Sequence, residues 1–310
     1  MDVVLTVAGV AVIVLVLRDV FHTLWHPAGE GRLNGLVGRG IWGAVHRLPA
    51  GSGRRRLLMD LAGPLTLAVV VTLWAVGVVV GWGLVFLPHM PSAFQDTTGS
   101  PPVTAWERVV SSVYVSIVGL STLGIGDIVP TAPWTRLWTA VQALVGFALL
   151  SASMSWIVQV TPALTRRRAL ARRLTALAAA DGRSGDDGGH ATDVPVRTVE
   201  DLVQELAAVH VQLRQYGETY YFRDSVTEEA LPVAIGAAVA LAEDAQRSDD
   251  PEVRRSGASL GWTLDGFAAL LDETYLHTGG STSEVFAAYA ADQDHEAPYD
   301  ARRPSGRGRA

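Results

Sequence analysis

A glycine-rich run, residues 121–127, has a composition suited to coordinating a cation with backbone oxygens. It reads Ser-Thr-Leu-Gly-Ile-Gly-Asp and lies between a short amphipathic segment and a long apolar one. One residue separates Gly124 from Gly126, and glycine adopts backbone conformations that a Cβ disfavours. The chain can therefore turn successive carbonyl oxygens towards one side, and Thr122 can add its hydroxyl. A glycine-containing turn between two membrane helices is the alternative interpretation.

The run resembles the selectivity filter of potassium channels, Thr-Val-Gly-Tyr-Gly. The resemblance covers residues 61–161 and implies an outer helix (61–87), a pore helix (105–119), a filter (122–126) and an inner helix (134–160). It also implies a homotetramer, in which four copies stack their carbonyls into rings that replace the water shell of K⁺. No cofactor and no metal beyond the permeant K⁺ is expected. The ion-coordinating residues implied are Thr122, Leu123, Gly124, Ile125 and Gly126.

Two filter positions depart from the commonest family pattern. Leu123 replaces a valine or isoleucine, which is a mild change. Ile125 replaces a tyrosine whose hydroxyl ties the filter to surrounding helices, and Val118 offers no carboxylate in its place. We therefore predict that the hydroxyl of Tyr114 bonds the carboxylate of Asp127 behind the filter, within about 3.5 Å. The loss of the tyrosine leaves open a weakly selective cation channel.

Residues after the filter extend the resemblance. Asp127 and Pro130 are similar to the acid and proline that usually follow the filter. Gly146 lies 19 residues after Asp127, within the third apolar segment, where the family often has a hinge glycine. Gly146 is therefore a candidate gating hinge. A site of close helix packing is the alternative.

The segment before the filter is predicted to be a short helix. Thr104 and Glu107 have the spacing of a capping box, and apolar residues follow at helical spacing to about Gly119. A helix of about 15 residues is only ~22 Å long, too short for the ~30 Å hydrocarbon core. It suits a re-entrant pore helix whose negative dipole end favours a cation.

Composition indicates a membrane protein with a sizeable soluble part. The chain has 310 residues, 49% of them hydrophobic, and no cysteine. All 25 basic residues are arginine, which together with the bias towards alanine, glycine and valine indicates a bacterium with a GC-rich genome. Apolar segments predict three transmembrane helices: an N-terminal one within residues 1–25, and the outer and inner helices of a pore domain over 60–162. The predicted fold class is an all-α membrane protein with a re-entrant pore helix and filter, followed by an all-helical soluble domain.

Arginine placement predicts the orientation in the bilayer. Residues 18–60 and 163–183 are rich in arginine, whereas residues 88–105 have none. The positive-inside rule then places the N-terminus outside and the C-terminus in the cytoplasm. We expect a multi-pass protein of the bacterial plasma membrane.

Residues 26–59 form a basic amphipathic segment. Its apolar face suits a helix at the membrane surface or, nearly as well, a helix packed on protein. His22 and His26 have the spacing of a metal pair, but no third ligand supports that interpretation.

The last third of the chain reads as a basic stretch and linker (163–194), a helical domain (195–292) and a tail (293–310) expected to be disordered. Residues 184–300 contain 23 acidic residues and 6 arginines. This acidic surface is either solvated or binds divalent cations or the arginines of 166–173. Five residues form an aromatic cluster that lines a ligand pocket or, more simply, packs in the core: His210, Tyr216, Tyr220, Tyr221 and Phe222.

No catalytic constellation is evident, so we expect a protein that is not an enzyme. There is no cysteine nucleophile, no Gly-x-Ser-x-Gly elbow and no metalloprotease helix. Neither a dinucleotide-binding glycine motif nor a nucleic-acid partner is indicated. The expected partners are the lipid bilayer, three further copies and an unknown ligand or partner of the helical domain. A non-conducting sensor or scaffold with a pore-like fold remains a second function class.

Overall fold

The computed structural model describes residues 2–25, 31–97, 104–184 and 195–295. Two three-residue strands, β1 (Phe94–Asp96) and β2 (Ile128–Pro130), form an antiparallel pair. Nearly all other regular structure is helical, and the predicted all-α class is confirmed. The helices are α1 (Asp2–Trp25), α2 (Arg32–His46), α3 (Gly53–Phe86), α4 (Ala105–Leu120), α5 (Pro133–Ser184), α6 (Val196–Gln215), α7 (Leu231–Gln246), α8 (Pro251–Leu271) and α9 (Thr282–Asp292).

Three helical stretches are long and apolar enough to cross a membrane. They are Asp2–Leu24, Gly53–His89 and Pro133–Ala180, in α1, α3 and α5. The chain is a multi-pass membrane protein, as predicted.

Helices α3 and α5 extend beyond the predicted outer and inner helices. α3 begins at Gly53 rather than at 61, and α5 continues to Ser184 rather than ending at 160. Residues 163–184, assigned from the sequence to a basic stretch and linker, are therefore helix. The apolar pattern marks only the part of a helix suited to lipid, whereas arginine, alanine and leucine favour helix on either side of it. The rest of the predicted linker, 185–194, and residues 296–310 of the predicted tail lie outside the described residues.

The chain divides into two compact units. We call Met1–Val37 with Thr66–Gln159 the pore unit, and Gly38–Leu65 with Val160–Ala310 the helical unit. Helices α2, α3 and α5 each contribute residues to both.

In the pore unit, glycines allow α1 and α3 to approach closely. A Cβ on Gly9 would lie 2.5 Å from the carbonyl oxygen of Gly81, and one on Gly77 would lie 2.7 Å from Val16. Gly77 and Gly81 have the four-residue spacing of small residues in packed membrane helices. Asp19 on α1 also accepts a hydrogen bond from Nε1 of Trp74, at 2.9 Å. The first span therefore packs against α3 of its own chain.

The helical unit is built around one apolar core. The stripe predicted for α6 is buried: Leu202, Leu206, Val209 and Leu213. Side chains from α7, α8 and α9 share this core, among them Ile235, Leu264, Phe267 and Phe286.

The arginines of α5 in this unit pair with acidic residues. Arg167 and Arg168 bind the two oxygens of Asp224 at 2.8 and 2.7 Å. Arg167 also donates to the carbonyls of Thr219 and Phe222. Three exposed or partly exposed pairs lie further along the helix: Arg172–Glu229, Arg173–Asp201 and Arg173–Glu205. Here, acidic residues of the domain do bind arginines of the 166–173 stretch.

The amphipathic segment packs on protein. Trp42 and Val45 of α2 are buried in the core of the helical unit. The indole Nε1 of Trp42 donates to Asp292 at 2.9 Å. The protein-packed interpretation of this segment therefore applies to these residues.

The aromatic residues that were predicted to form one cluster do not all lie together. Tyr220 and Tyr221 are core residues, and Tyr220 stacks on Tyr275 with 3.9 Å between ring centroids. Burial and the nearby Asp292 raise the pKa of Tyr220 far above its usual value, so its hydroxyl stays protonated. His210 lies apart, against Phe267. Core packing therefore accounts for the two tyrosines but not for His210.

Candidate functional site

The helix before the predicted filter (residues 122–126) is capped and short. α4 runs from Ala105 to Leu120, close to the predicted 105–119. Thr104 accepts a hydrogen bond from the backbone of Glu107 at 3.2 Å, and the Glu107 carboxylate accepts one from the backbone of Thr104 at 3.0 Å. Sixteen residues make a helix of about 24 Å. Its C-terminal, electronegative end leads directly into the filter.

The filter backbone alternates in conformation. Thr122, Gly124 and Gly126 have positive φ angles of 57°, 57° and 83°, whereas Leu123 and Ile125 do not. In an ordinary strand, successive carbonyls face opposite ways; alternation of this kind can turn them to the same side. Thr122 has a Cβ, so its left-handed conformation costs about 1–3 kcal/mol. Backbone outliers of this kind cluster at functional sites, which agrees with the prediction of a filter here.

The carbonyl oxygens of residues 122–125 accept no hydrogen bond from any part of the chain that the structure describes. Backbone carbonyls are nearly always paired with a donor when they leave water. Residues 122–125 are exposed on the single chain, so these four oxygens are open to water or to a ligand such as a metal cation.

The predicted bond behind the filter is present. The hydroxyl of Tyr114 donates to Oδ2 of Asp127 at 2.6 Å. The other carboxylate oxygen accepts from the backbone N–H of Ile128 at 2.9 Å. Asp127 thus connects the pore helix to the end of the filter.

The C-terminal end of the predicted filter has a second support that the sequence analysis missed. Thr97, just after β1, donates from its backbone N–H and its hydroxyl to the carbonyl of Asp127, at 2.8 and 3.0 Å. The β1–β2 pair, with Asp96 opposite Ile128, holds Thr97 there. Strands of three residues carry almost no periodic signal, so this contact was not predictable.

Two buried polar residues join α4 to the helices α5 and α3. The sequence analysis predicted neither of them. Gln142 on α5 donates to the carbonyl and hydroxyl of Ser116, at 2.7 and 3.0 Å. Ser116 in turn donates to the carbonyl of Val79 on α3, at 2.8 Å. A glutamine within an apolar segment was the one available signal, because such a residue needs a buried partner.

Gly146 lies where α5 crosses the end of the pore helix. It is buried, and a Cβ at this position would overlap the carbonyl oxygen of Leu120. The position therefore has a packing requirement for glycine. Whether the helix also bends here stays a prediction.

The histidine pair gains no support as a metal site. His22 lies on α1, and His26 lies outside the described residues. Among the residues that the structure describes, no group of three or more histidine, aspartate or glutamate side chains is arranged to hold a metal.

Comparison with known proteins identifies the pore segment. Residues 73–161 match the model of a family described as an ion channel. This segment is therefore similar to an ion channel family. The match covers the last part of α3, the pore helix, the filter and the first part of α5, and the resemblance to potassium channels is confirmed.

Two curated relatives are similar to parts of the chain. An uncharacterized membrane protein, YdjJ of Bacillus subtilis (strain 168), is 24% identical over 172 residues, which are 55% of this chain and 48% of the relative. Two-pore potassium channel 5 of Arabidopsis thaliana is 42% identical over 50 residues, 16% of this chain and 12% of the relative. The chain thus spans about half the first relative's length and far less of the second. No solved structure matches it significantly.

Proposed function

We propose that four copies of this chain form a channel that conducts potassium passively across a bacterial plasma membrane. The observation that carries the proposal is the filter backbone, with alternating φ angles and with carbonyls at residues 122–125 that accept no hydrogen bond within the described chain. Carbonyl rings of this kind replace the hydration shell of K⁺. The proposed activity is transport rather than catalysis, with K⁺ as the permeant ion.

One chain supplies one strand of such a pore, so the proposal requires a homotetramer. The side chains of Leu123 and Ile125 are 66% and 59% exposed on the single chain. Contacts with neighbouring copies would cover these apolar groups. The site is therefore incomplete without its symmetry-related partners.

Selectivity depends on how firmly the filter is held. Ile125 lacks the tyrosine hydroxyl of the common pattern, but Tyr114 and Thr97 hold Asp127 from two directions. A supported filter keeps its oxygens at the spacing that suits K⁺. We therefore favour a potassium-selective channel over a weakly selective one.

The arginine distribution supports an orientation with the N-terminus outside and the C-terminus inside. The arginines of α5 lie at the end of the third span, and residues 88–105 between the second and third spans contain none. The filter then lies towards the outer side of the membrane and the helical unit lies in the cytoplasm.

The experiment is reconstitution of the full chain into liposomes, with the reversal potential measured under opposing potassium and sodium gradients. A reversal near the potassium equilibrium potential is expected. A reversal near zero would instead establish the weakly selective cation channel, which Ile125 favours.

A second candidate is a non-conducting sensor, which the large helical unit favours. It predicts no flux of either ion in the same liposomes. A matched preparation with Gly124→Ala, which places a Cβ at a left-handed position of the filter, controls for leak through the liposomes.

A further inference from the structure

A groove lies between α6 and α8 on the surface of the helical unit. Its volume is about 730 Å³, within the range of small-molecule binding sites. The α6 wall is apolar and includes Val203, Ala207 and Val211. None of these residues contributes to the pore.

The α8 wall combines small residues with one large ring. Ala258 and Gly266 leave room in the groove, and Trp262 lies beside it. The Trp262 side chain is 79% exposed, although tryptophan is highly buried on average. An exposed indole next to an apolar cleft offers a flat surface on which another ring can stack.

The polar groups of the groove are cationic or neutral. Arg255 is exposed and forms no ion pair with any described residue, although the domain is rich in carboxylates. It precedes Trp262 by seven residues, or about two helical turns, so both lie on one face of α8. At the other end of the groove, burial and the nearby Arg214 lower the pKa of His210, which is therefore neutral at pH 7.

We propose that this groove binds an aromatic carboxylate. The ring lies against Trp262 and the apolar wall of α6, and the carboxylate pairs with the Arg255 guanidinium, which can bind it through two hydrogen bonds. A divalent cation does not suit the groove, because no carboxylate lines it and Arg255 would repel the ion. The unpaired arginine, in a domain whose charge is otherwise strongly negative, favours an anion over a neutral apolar ligand.

The test uses the full chain in lipid nanodiscs and isothermal titration calorimetry with 2-naphthoate. Empty nanodiscs provide the reference for partition into lipid. We expect saturable binding with a dissociation constant below about 1 mM. The neutral isostere 2-naphthamide should bind at least about tenfold more weakly, which is the factor for the loss of 1.4 kcal/mol.

Three variants test the guanidinium and the groove. Arg255→Gln should weaken 2-naphthoate binding about tenfold and leave 2-naphthamide binding unchanged. Arg197→Gln removes an exposed arginine at the start of α6, outside the groove, and should change neither. Ala258→Phe should fill the groove and abolish binding of both probes.

The proposal is overturned by absence of saturable binding, by equal affinity for the two probes, or by an unchanged affinity in Arg255→Gln. Because Arg255 is a surface residue, that variant is informative even if Ala258→Phe does not fold. A changed number of copies per particle in Trp262→Ala, measured by mass photometry, would also overturn it and make the groove a contact between copies. Each readout is independent of ion conduction.

Discussion

At the scale of single residues, a few polar side chains hold a strained backbone. Thr122 is left-handed despite its Cβ, and the carbonyls of residues 122–125 accept no hydrogen bond within the described chain. The bonds that Tyr114 and Thr97 make around Asp127 fix one end of this segment. Strain persists only where surrounding contacts determine the conformation. The conformation of the filter backbone therefore depends on these supporting side chains as well as on the filter residues.

Tyr114→Phe should lower selectivity without abolishing conduction. The substitution removes the hydrogen bond that the Tyr114 hydroxyl donates to the Asp127 carboxylate. We expect the potassium-to-sodium permeability ratio to fall about tenfold, measured as a shift of the reversal potential towards zero. Tyr275→Phe removes a bond to the Gly217 carbonyl in the helical unit and is the matched control. An unchanged ratio in Tyr114→Phe would show that Asp127 needs no such support.

At the scale of helices, close crossings and buried polar bonds position the pore helix. Gln142 and Ser116 connect α4 to α5 and α3, and Gly146 lets α5 pass against the carbonyl of Leu120. These contacts fix where α4 ends, and hence where the filter begins.

The substitution Gly146→Ala distinguishes the two interpretations of Gly146, a site of close helix packing or a gating hinge. Overpacking a tight contact costs about 1–3 kcal/mol, so we expect a lower midpoint of thermal unfolding, measured by circular dichroism. Gly40→Ala on α2, where a Cβ meets nothing within 4 Å, should leave the midpoint unchanged or slightly higher. If Gly146→Ala keeps the wild-type midpoint but alters ion flux, the hinge interpretation is correct instead.

The buried ion pair between Arg167 and Asp224 should dominate the stability of the loop at residues 217–224. Its side chains are only 7% and 3% exposed. Asp224→Asn leaves a buried guanidinium without its counter-charge, which costs about 3–5 kcal/mol. We expect the amides of Thr219 and Phe222 to exchange with deuterium at least about a hundredfold faster, the factor for 2.8 kcal/mol.

Glu229→Gln is the matched control for this pair. It removes the partner of Arg172, whose side chain is 66% exposed. Exposed pairs contribute about 0–1 kcal/mol, so the same amides should exchange at nearly the wild-type rate. Equal effects of the two substitutions would contradict the assignment of stability to the buried pair.

At the scale of the whole molecule, the proposed assembly buries filter side chains that a single chain exposes. The chain contains no cysteine, so one introduced thiol is unique. Ile125→Cys should resist a soluble maleimide in the assembled protein and react at least about tenfold faster once the copies are separated, because burial restricts access to the thiol. Ser92→Cys, on an exposed turn, should react under both conditions. Equal reactivity of Ile125→Cys in both states would argue against the tetramer.

Sequence patterns determined the features that are local or periodic. Glycine spacing marked the filter, hydropathy marked three spans, and a stripe of four residues marked the buried face of α6. The Tyr114–Asp127 bond was also predictable, because its partners are 13 residues apart and a short helix with an extended return brings them together.

The tertiary structure decided what depends on partners distant in the chain. The Gln142–Ser116, Arg167–Asp224 and Trp42–Asp292 contacts join residues 26 to 250 positions apart. The packing of α1 on α3 and the groove beside Trp262 also form only when separate helices meet. A single polar residue has no periodicity, so its type indicates that it needs a partner but not which one. The sequence therefore predicted the local geometry of the chain. The partners of the buried polar residues could be identified only once the helices were packed together.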